Sequence, residues 1–494
     1  MSTKITRIGV IQTAALPGDF PNNLRAIVNG YRECLEHGAQ VVVAPAACVC
    51  GMEPGHLTRR RTFQEQTRNC LEALSKELGS APLFVAAYTY IISDDELSVG
   101  MVGEDSDHEL WMGDDHSVTL VPYLLEKDCV TELEASSTVT IGDQLFYTDL
   151  GDDEILPPEA CDFIVRMPTT PWYTTAAHEN QTHREWEATM ADATVICCSP
   201  VGTAGENVYG GGSTVHARGG DIVMRLPFFE TAAQVVNLEQ PRPVLALPDP
   251  AELLCSALER GIRDTVRNNC FGGVCIPLDS PNSALLGVLC VEALGAANVI
   301  GISFSGDTTL ADKLGISTYT PAMAQLQNAA EELMGQQEAE ALRERLCTTI
   351  AMTYAESRGM MLCSPLGRHE LMLGDFRTYG LSGGHIAPLG SLYAIDIYFC
   401  SEHMSEKYAH IFGSLVTPAN AMTDRIIHEM TERNVAASDL LNPDKNYLYK
   451  ENDVRLVQRR ILASGLKRTQ LPLMLNSGSP DFRYHFPVAH RLND

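Results

Sequence analysis

Two spacings alternate along the first half of the chain. Short runs with few polar residues, 8–12, 41–43 and 83–88, read as buried strands. Between the first two, Leu24, Ile27, Val28, Tyr31 and Leu35 recur at three and four, which is one face of a helix. Asn22 or Asn23 is its expected cap and Gly38 its stop. A further helix is expected over 62–78, ended by Gly79. This β-α-β-α-β rhythm predicts a layered α/β domain. Strands near 118–121, 162–165 and 194–198 and a helix over 177–190 continue it. Gly210-Gly211-Gly212-Ser213 leads into a strand over 214–217, and Gly219-Gly220 turns it into 222–224 as a hairpin.

Prolines at 241, 243, 248 and 250 mark a linker. The expected division is 1–240, a linker over 241–250, and 251–494. A helix over 251–268 carries Leu254, Leu258 and Ile262 on one face. Residues 271–294 then read as a buried strand, a sharp turn and a helix ending at Gly295. In α/β proteins such a turn is where phosphates usually sit. Here it is Asp279-Ser280-Pro281-Asn282-Ser283, with Ser280 the expected N-cap and Pro281 the first helical residue. Further helices are expected over 331–352, 421–434 and 453–464.

Composition narrows the function classes. A net charge of −27 opposes nucleic-acid and anionic-membrane binding. Between Asp94 and Glu159 stand 19 acidic residues and a single base, Lys127. That is a solvated acidic face, or a docking face for a basic protein partner. The 15 cysteines form no CxxC pair, which suits reduced thiols in a cytoplasmic protein.

The opening, IGVIQTAALPGDFPNNLRAIVNGYRECLEHGAQVVVAPAACVCGMEP, resembles a nitrilase-type amidase domain, and most closely the glutaminase domain of glutamine-dependent NAD+ synthetase. ACDFIVRMPTTPW and VYGGGSTVHARGGDIVMRLPFFE continue the match. The resemblance implies an α-β-β-α sandwich and a Glu-Lys-Cys triad that hydrolyses glutamine. At the glutamate's position stands Ala46. Ungapped, Tyr147 takes the cysteine's place, and Lys127 is the base nearest the lysine's place at Leu124. Removing one member of such a triad typically costs on the order of 10⁴-fold or more, so no glutaminase activity is expected.

The stretch LERGIRDTVRNNCFGGVCIPLDSPNSALLGVLCVEALGAANVIGISF resembles the same family's ATP-pyrophosphatase domain, a Rossmann-like doubly wound fold. The family carries Ser-Gly-Gly-x-Asp-Ser at the turn. Here both glycines are gone, Pro281 lacks an N–H, Asp279 brings a negative charge, and Asn282 replaces a metal-binding aspartate. Ser280 and Ser283 remain as hydroxyls. Arg345 matches a family arginine, Arg368 keeps a positive charge, and Glu370 matches a magnesium ligand. Tyr379-Gly380-Leu381 stands for Tyr-Gly-Asp, Ala394 replaces a lysine, and a loop expected after Val416 is missing. The expectation is therefore a catalytically dead homologue acting as a structural or regulatory homo-oligomer. No cofactor is expected, ATP and Mg2+ entering only if the residual site works. The alternatives are a nucleotide-binding sensor and a divergent active synthetase fed by free ammonia. An active paralogue is a further candidate partner.

Overall fold

The computed structural model describes residues 4–90, 118–151, 156–244, 246–380, 383–413, 421–442, 445 and 449–477. Leu381, Val416 and most of the acidic stretch at 94–117 lie outside them. The chain forms two compact units. The first comprises residues 1–170, 177–204 and 209–247, and the second comprises 171–176, 205–208 and 248–494.

In the first unit, strands β1 (Arg7–Gln12), β2 (Val41–Ala46), β3 (Leu83–Tyr90), β4 (Val118–Glu126) and β5 (Cys129–Glu132) follow one another in one sheet. A second sheet holds β6 (Ser137–Ile141), β7 (Gln144–Asp149), β8 (Phe163–Arg166) and β9 (Thr194–Cys197). β10 (Val201–Ala204) and β11 (Asn207–Gly210) pair apart from both. β12 (Thr214–His216) and β13 (Ile222–Arg225) complete the second sheet, and β14 (Ala232–Asn237) returns to pair antiparallel with β1.

Between the sheets lies a core of Ile8, Val10, Val43, Phe84, Phe146, Phe163 and Val165. Helices α1 (Phe20–Glu36) and α2 (Arg61–Glu77) cover the outer face of the first sheet, and α3 (Ala176–Met190) covers that of the second. This is the expected α-β-β-α sandwich. Its strands read as unbroken apolar runs because both faces are covered.

Asn23 does not cap α1, which starts at Phe20 with Pro21 in its first turn. Its side chain is buried instead and pins two loops. It donates to the carbonyls of Leu16 at 3.0 Å and Val49 at 3.2 Å, and accepts from the Leu16 amide at 3.1 Å. Gly212 has φ +65°, and a Cβ there would come within 2.2 Å of the Phe228 ring, so glycine is required.

The second unit opens with α4 (Pro250–Asn268), capped by the Asp249 carboxylate. Its parallel sheet runs β17 (Ser317–Tyr319), β16 (Val299–Ile302), β15 (Val274–Pro277), β18 (Met361–Leu362). Helices α5 (Ser283–Leu294) and α6 (Thr309–Leu314) connect β15 to β16 and β16 to β17. The single helix expected over 331–352 is two, α7 (Met323–Met334) and α8 (Gln336–Glu356), because Gly335 breaks it with φ +86°. The chain then returns to the other side of β15 as β18. That reversal makes a doubly wound sheet with its switch point between β15 and β18. Helices α9 (Arg368–Leu373), α10 (Ala394–Phe412) and α11 (Ala421–Thr431) follow, with β19 (Ile386–Ala387) between α9 and α10.

Asn23→Ala strands partners in two loops. It is expected to cost about 2–3 kcal/mol, read as a lowered thermal midpoint, with each buried group left unbonded costing ~1–3 kcal/mol.

Candidate functional site

The turn after β15 sits at the carboxyl end of the parallel sheet, beside the switch point. Its helix does not start as the sequence suggests. α5 begins at Ser283, not Pro281, and Asn282 is the residue before it. Neither Ser280 nor Asn282 makes a side-chain cap. Ser280 instead donates its backbone amide to Ser283 Oγ at 3.2 Å, and that hydroxyl donates to the Pro277 carbonyl at 2.7 Å. The turn is thereby closed on itself.

Two side chains tie the turn sideways. The Asp279 carboxylate accepts from the amides of Phe304 at 2.8 Å and Ser305 at 3.2 Å, just past β16. The Asn282 amide donates to the Pro365 carbonyl at 3.1 Å, just past β18. The residues one would ask to receive phosphate and metal are thus bonded to the neighbouring chain on either side of β15.

The other candidates for that site lie elsewhere in the unit. Arg345 is exposed on α8 and donates to the carbonyls of Thr378 at 3.2 Å and Ala341 at 3.4 Å. Arg368 is 2% exposed, pairs with Glu432 at 2.8 Å, and lies over the Tyr393 ring at 4.9 Å from its centroid. Its charge is spent inside the protein, which corrects its reading as a nucleotide contact. The Glu370 carboxylate accepts from the Gly367 amide at 3.0 Å, capping its own short helix, and burial holds it above the usual carboxylate range. Among the described residues no group of three His, Cys, Asp or Glu is arranged to hold a metal ion. The residues present do not fit Mg2+-ATP as the family binds it.

Around α9 the sequence reading missed a buried polar cluster. His369 meets Asp424 at 2.5 Å, and the second Asp424 oxygen accepts from the Ala394 amide at 3.0 Å. Tyr393 donates to Glu432 at 2.5 Å, and Asp396 accepts from the Tyr393 amide at 2.9 Å. Burial pulls the His369 imidazole down, but the bond to Asp424 and the nearby carboxylates outweigh it and hold it above its ordinary value. Burial pushes the Asp396 carboxyl up to about 6, helped by the charges of Asp424 and Glu432. Asp424 and Glu432 are far from α9 in sequence, so no spacing announces them.

In the first unit the three triad positions do not converge. Ala46 ends β2, is 1% exposed, and pairs with Ala86 in β3 within the core between the sheets. Ala86 faces Pro122 in β4, and Lys127 is five residues further along that chain. At ~3.3 Å per residue that is about 16 Å away. Lys127 sits in the β4–β5 turn, exposed, donating to the Lys76 carbonyl at the end of α2. It is a surface anchor. Tyr147 is also buried, but its ring packs with Cys161, Ile164 and Ala188 on the helix side of the second sheet, opposite to Phe146. Nor does a nearby thiol substitute. Cys48, Cys50 and Cys198 are fully buried, and burial pushes Cys50 up to about 12, away from the thiolate a nucleophile needs.

Beside Tyr147 lies an unexpected network. Arg166, wholly buried, pairs with Asp149 and Glu187, and Arg184 joins Glu187 at 2.7 Å. Among the described residues two cations here meet two anions, which offsets part of the cost of burying them. The one signal for it is Arg166 ending an otherwise apolar strand.

Sandwich, doubly wound sheet and strand-to-helix turn define a nitrilase-like domain followed by one of ATP-pyrophosphatase type. A family model for NAD synthase matches residues 254–406. The chain is 24% identical to the glutamine-dependent NAD+ synthetase of Thermotoga maritima, over 80% of this chain and 80% of that one. It is 22% identical to that of Synechocystis, over 94% and 96%. Among solved structures, the glutamine-dependent NAD+ synthetase of Cytophaga hutchinsonii superposes with a TM-score of 0.80 at 13% identity, covering 99% of this chain and 98% of its own. That of Acinetobacter baumannii gives 0.71 at 14% identity, covering 98% of each. Residues 254–406 thus match the NAD synthase model, and the chain is similar in sequence and fold to glutamine-dependent NAD+ synthetases.

The raised Asp396 carboxyl has a consequence of definite sign. A carboxyl whose folded pKa is raised contributes stability that is whole below pH 4 and is lost as pH rises through about 6. Between those limits wild type should lose up to ~3 kcal/mol relative to Asp396→Asn, at about 1.4 kcal/mol per pH unit. Parallel denaturation of both proteins from pH 4 to pH 7.5 measures this, and equal slopes would refute it.

Proposed function

We propose that this chain keeps the two-domain framework of the NAD+ synthetases without their chemistry. In this reading it acts as a structural or regulatory subunit, assembling with copies of itself in the cytoplasm. The observation that carries the proposal is the turn at 279–283, whose side chains bond to the protein in place of a ligand. A phosphate arriving there would meet the Asp279 charge and lack the Pro281 amide.

The first unit supports the same reading. A methyl group at Ala46 transfers no proton, Lys127 is an exposed turn residue, and Tyr147 faces away from the core that holds Ala46. Glutamine hydrolysis needs nucleophile, base and oxyanion partner at one place. What survives is packing, which is what an assembly uses. The 15 cysteines form no CxxC pair, which suits a reducing compartment, and no described helix is long and apolar enough to cross a membrane. ATP, Mg2+ and glutamine are then not ligands of the working protein.

Two measurements test this. Incubated with glutamine, the purified protein should release glutamate no faster than a heat-killed control; faster release, abolished by a substitution in the first unit, would overturn the proposal. Calorimetry with ATP and Mg2+ should show binding weakened by about 10³-fold or more against an active relative. That follows from two or three lost charged hydrogen bonds at ~1.5–3 kcal/mol each. A dissociation constant in the low micromolar range would replace this reading with that of a nucleotide sensor.

A further inference from the structure

The loop after β16 is a row of backbone amides that the protein fills with its own oxygens. Phe304 and Ser305 donate to the two Asp279 oxygens, at 2.8 Å and 3.2 Å. Gly306, at φ +87°, donates to Ser303 Oγ at 3.0 Å. Asp307 donates to Ser305 Oγ at 3.2 Å, and Thr309 donates to the Asp307 carboxylate at 2.9 Å. Successive amides turned toward one side form a concavity that suits an anion. Most of these acceptors come from the loop itself. The exception is Asp279, which reaches across from the end of the adjacent strand.

The contact has the form of an anion complex. Each carboxylate oxygen takes one of two adjacent amides, as phosphate oxygens do at such loops. It lies at the carboxyl end of a parallel sheet, where α/β proteins receive ligands. On the other side of β15 the polarity is reversed, Asn282 donating its side-chain amide to the Pro365 carbonyl.

We propose that Asp279 is a built-in anion. Its carboxylate occupies the Phe304–Ser305 amide pair and so excludes phosphorylated ligands, and its removal uncovers a latent site for pyrophosphate or a polyphosphate chain. The idea rests on the proposed absence of nucleotide binding and supplies its cause: competition from within, in addition to missing ligand contacts.

The test uses the full chain and inorganic pyrophosphate as probe. Wild type, Asp279→Ala and Asp279→Asn are titrated by calorimetry, with amide hydrogen exchange followed at Phe304 and Ser305. Asp279→Ala should bind pyrophosphate at least 10-fold more tightly than wild type. Asp279→Asn should fall between them, since it loses the charge and keeps one acceptor oxygen. Exchange at both amides should quicken in Asp279→Ala and slow again when pyrophosphate is added. Equal affinities in all three proteins, or exchange unchanged by the substitution, would overturn the proposal. Should Asp279→Ala fail to fold, Asp279→Asn against wild type decides the same question. The two proposals fail separately: tight ATP binding by wild type overturns the proposed function, whereas equally weak pyrophosphate binding by every variant overturns only the role of Asp279.

Discussion

The contact between the Asp279 carboxylate and the amides beyond β16 depends on the parallel arrangement of three strands. β15 and β16 run in register from Val274 opposite Val299 to Pro277 opposite Ile302, and the ladder continues as Leu278 donates to the Ile302 carbonyl. The next residue on one strand thereby lies beside the open amides of the other. A parallel sheet delivers all its carboxyl ends to one edge, with unpaired amides there that need a partner. In open α/β sheets that edge is where ligands commonly bind. Here the sequence meets that need with the Asp279 carboxylate and the hydroxyls of Ser303 and Ser305.

Much of the fold was legible before the structure. Apolar runs located the strands because both sheets of the sandwich are covered on both faces, and glycines marked where helices stop. The failures share one cause. Asn23 and Ser280 looked like helix caps, since a short polar side chain before an apolar run usually is one. Asn23 instead finds partners in two loops brought close by the fold, and Ser280 bonds through its amide to Ser283 within the turn. Arg368 and Glu370 were readable as charges but not as destinations. Their environment is set by Glu432, Tyr393 and Gly367, and pairing across the fold leaves no local period. Lys127 could be read as a relic or as a surface residue, and its exposed place in the β4–β5 turn is visible only in the structure.

On the proposed reading, the two units differ in what stands where the chemical groups would be. In the sandwich it is subtraction: Ala46 presents only a methyl to the core between the sheets. In the second unit the change is substitution by internal bonds, because backbone amides cannot be deleted as a carboxylate can. A degraded nucleotide site must therefore be refilled, whereas a degraded hydrolase triad can simply be erased.

The Arg166 network has a bearing on the history open to this chain. Four charges buried together are balanced only as a set, and removing a single partner from a buried pair costs about 3–5 kcal/mol. No one-step substitution leads out of such a quartet without passing through a badly destabilised protein. Side chains around Arg166, Asp149, Glu187 and Arg184 are thus locked to one another across generations. Substitutions at the end of β7 and on the facing side of α3 are therefore constrained together, although the two elements are far apart in sequence.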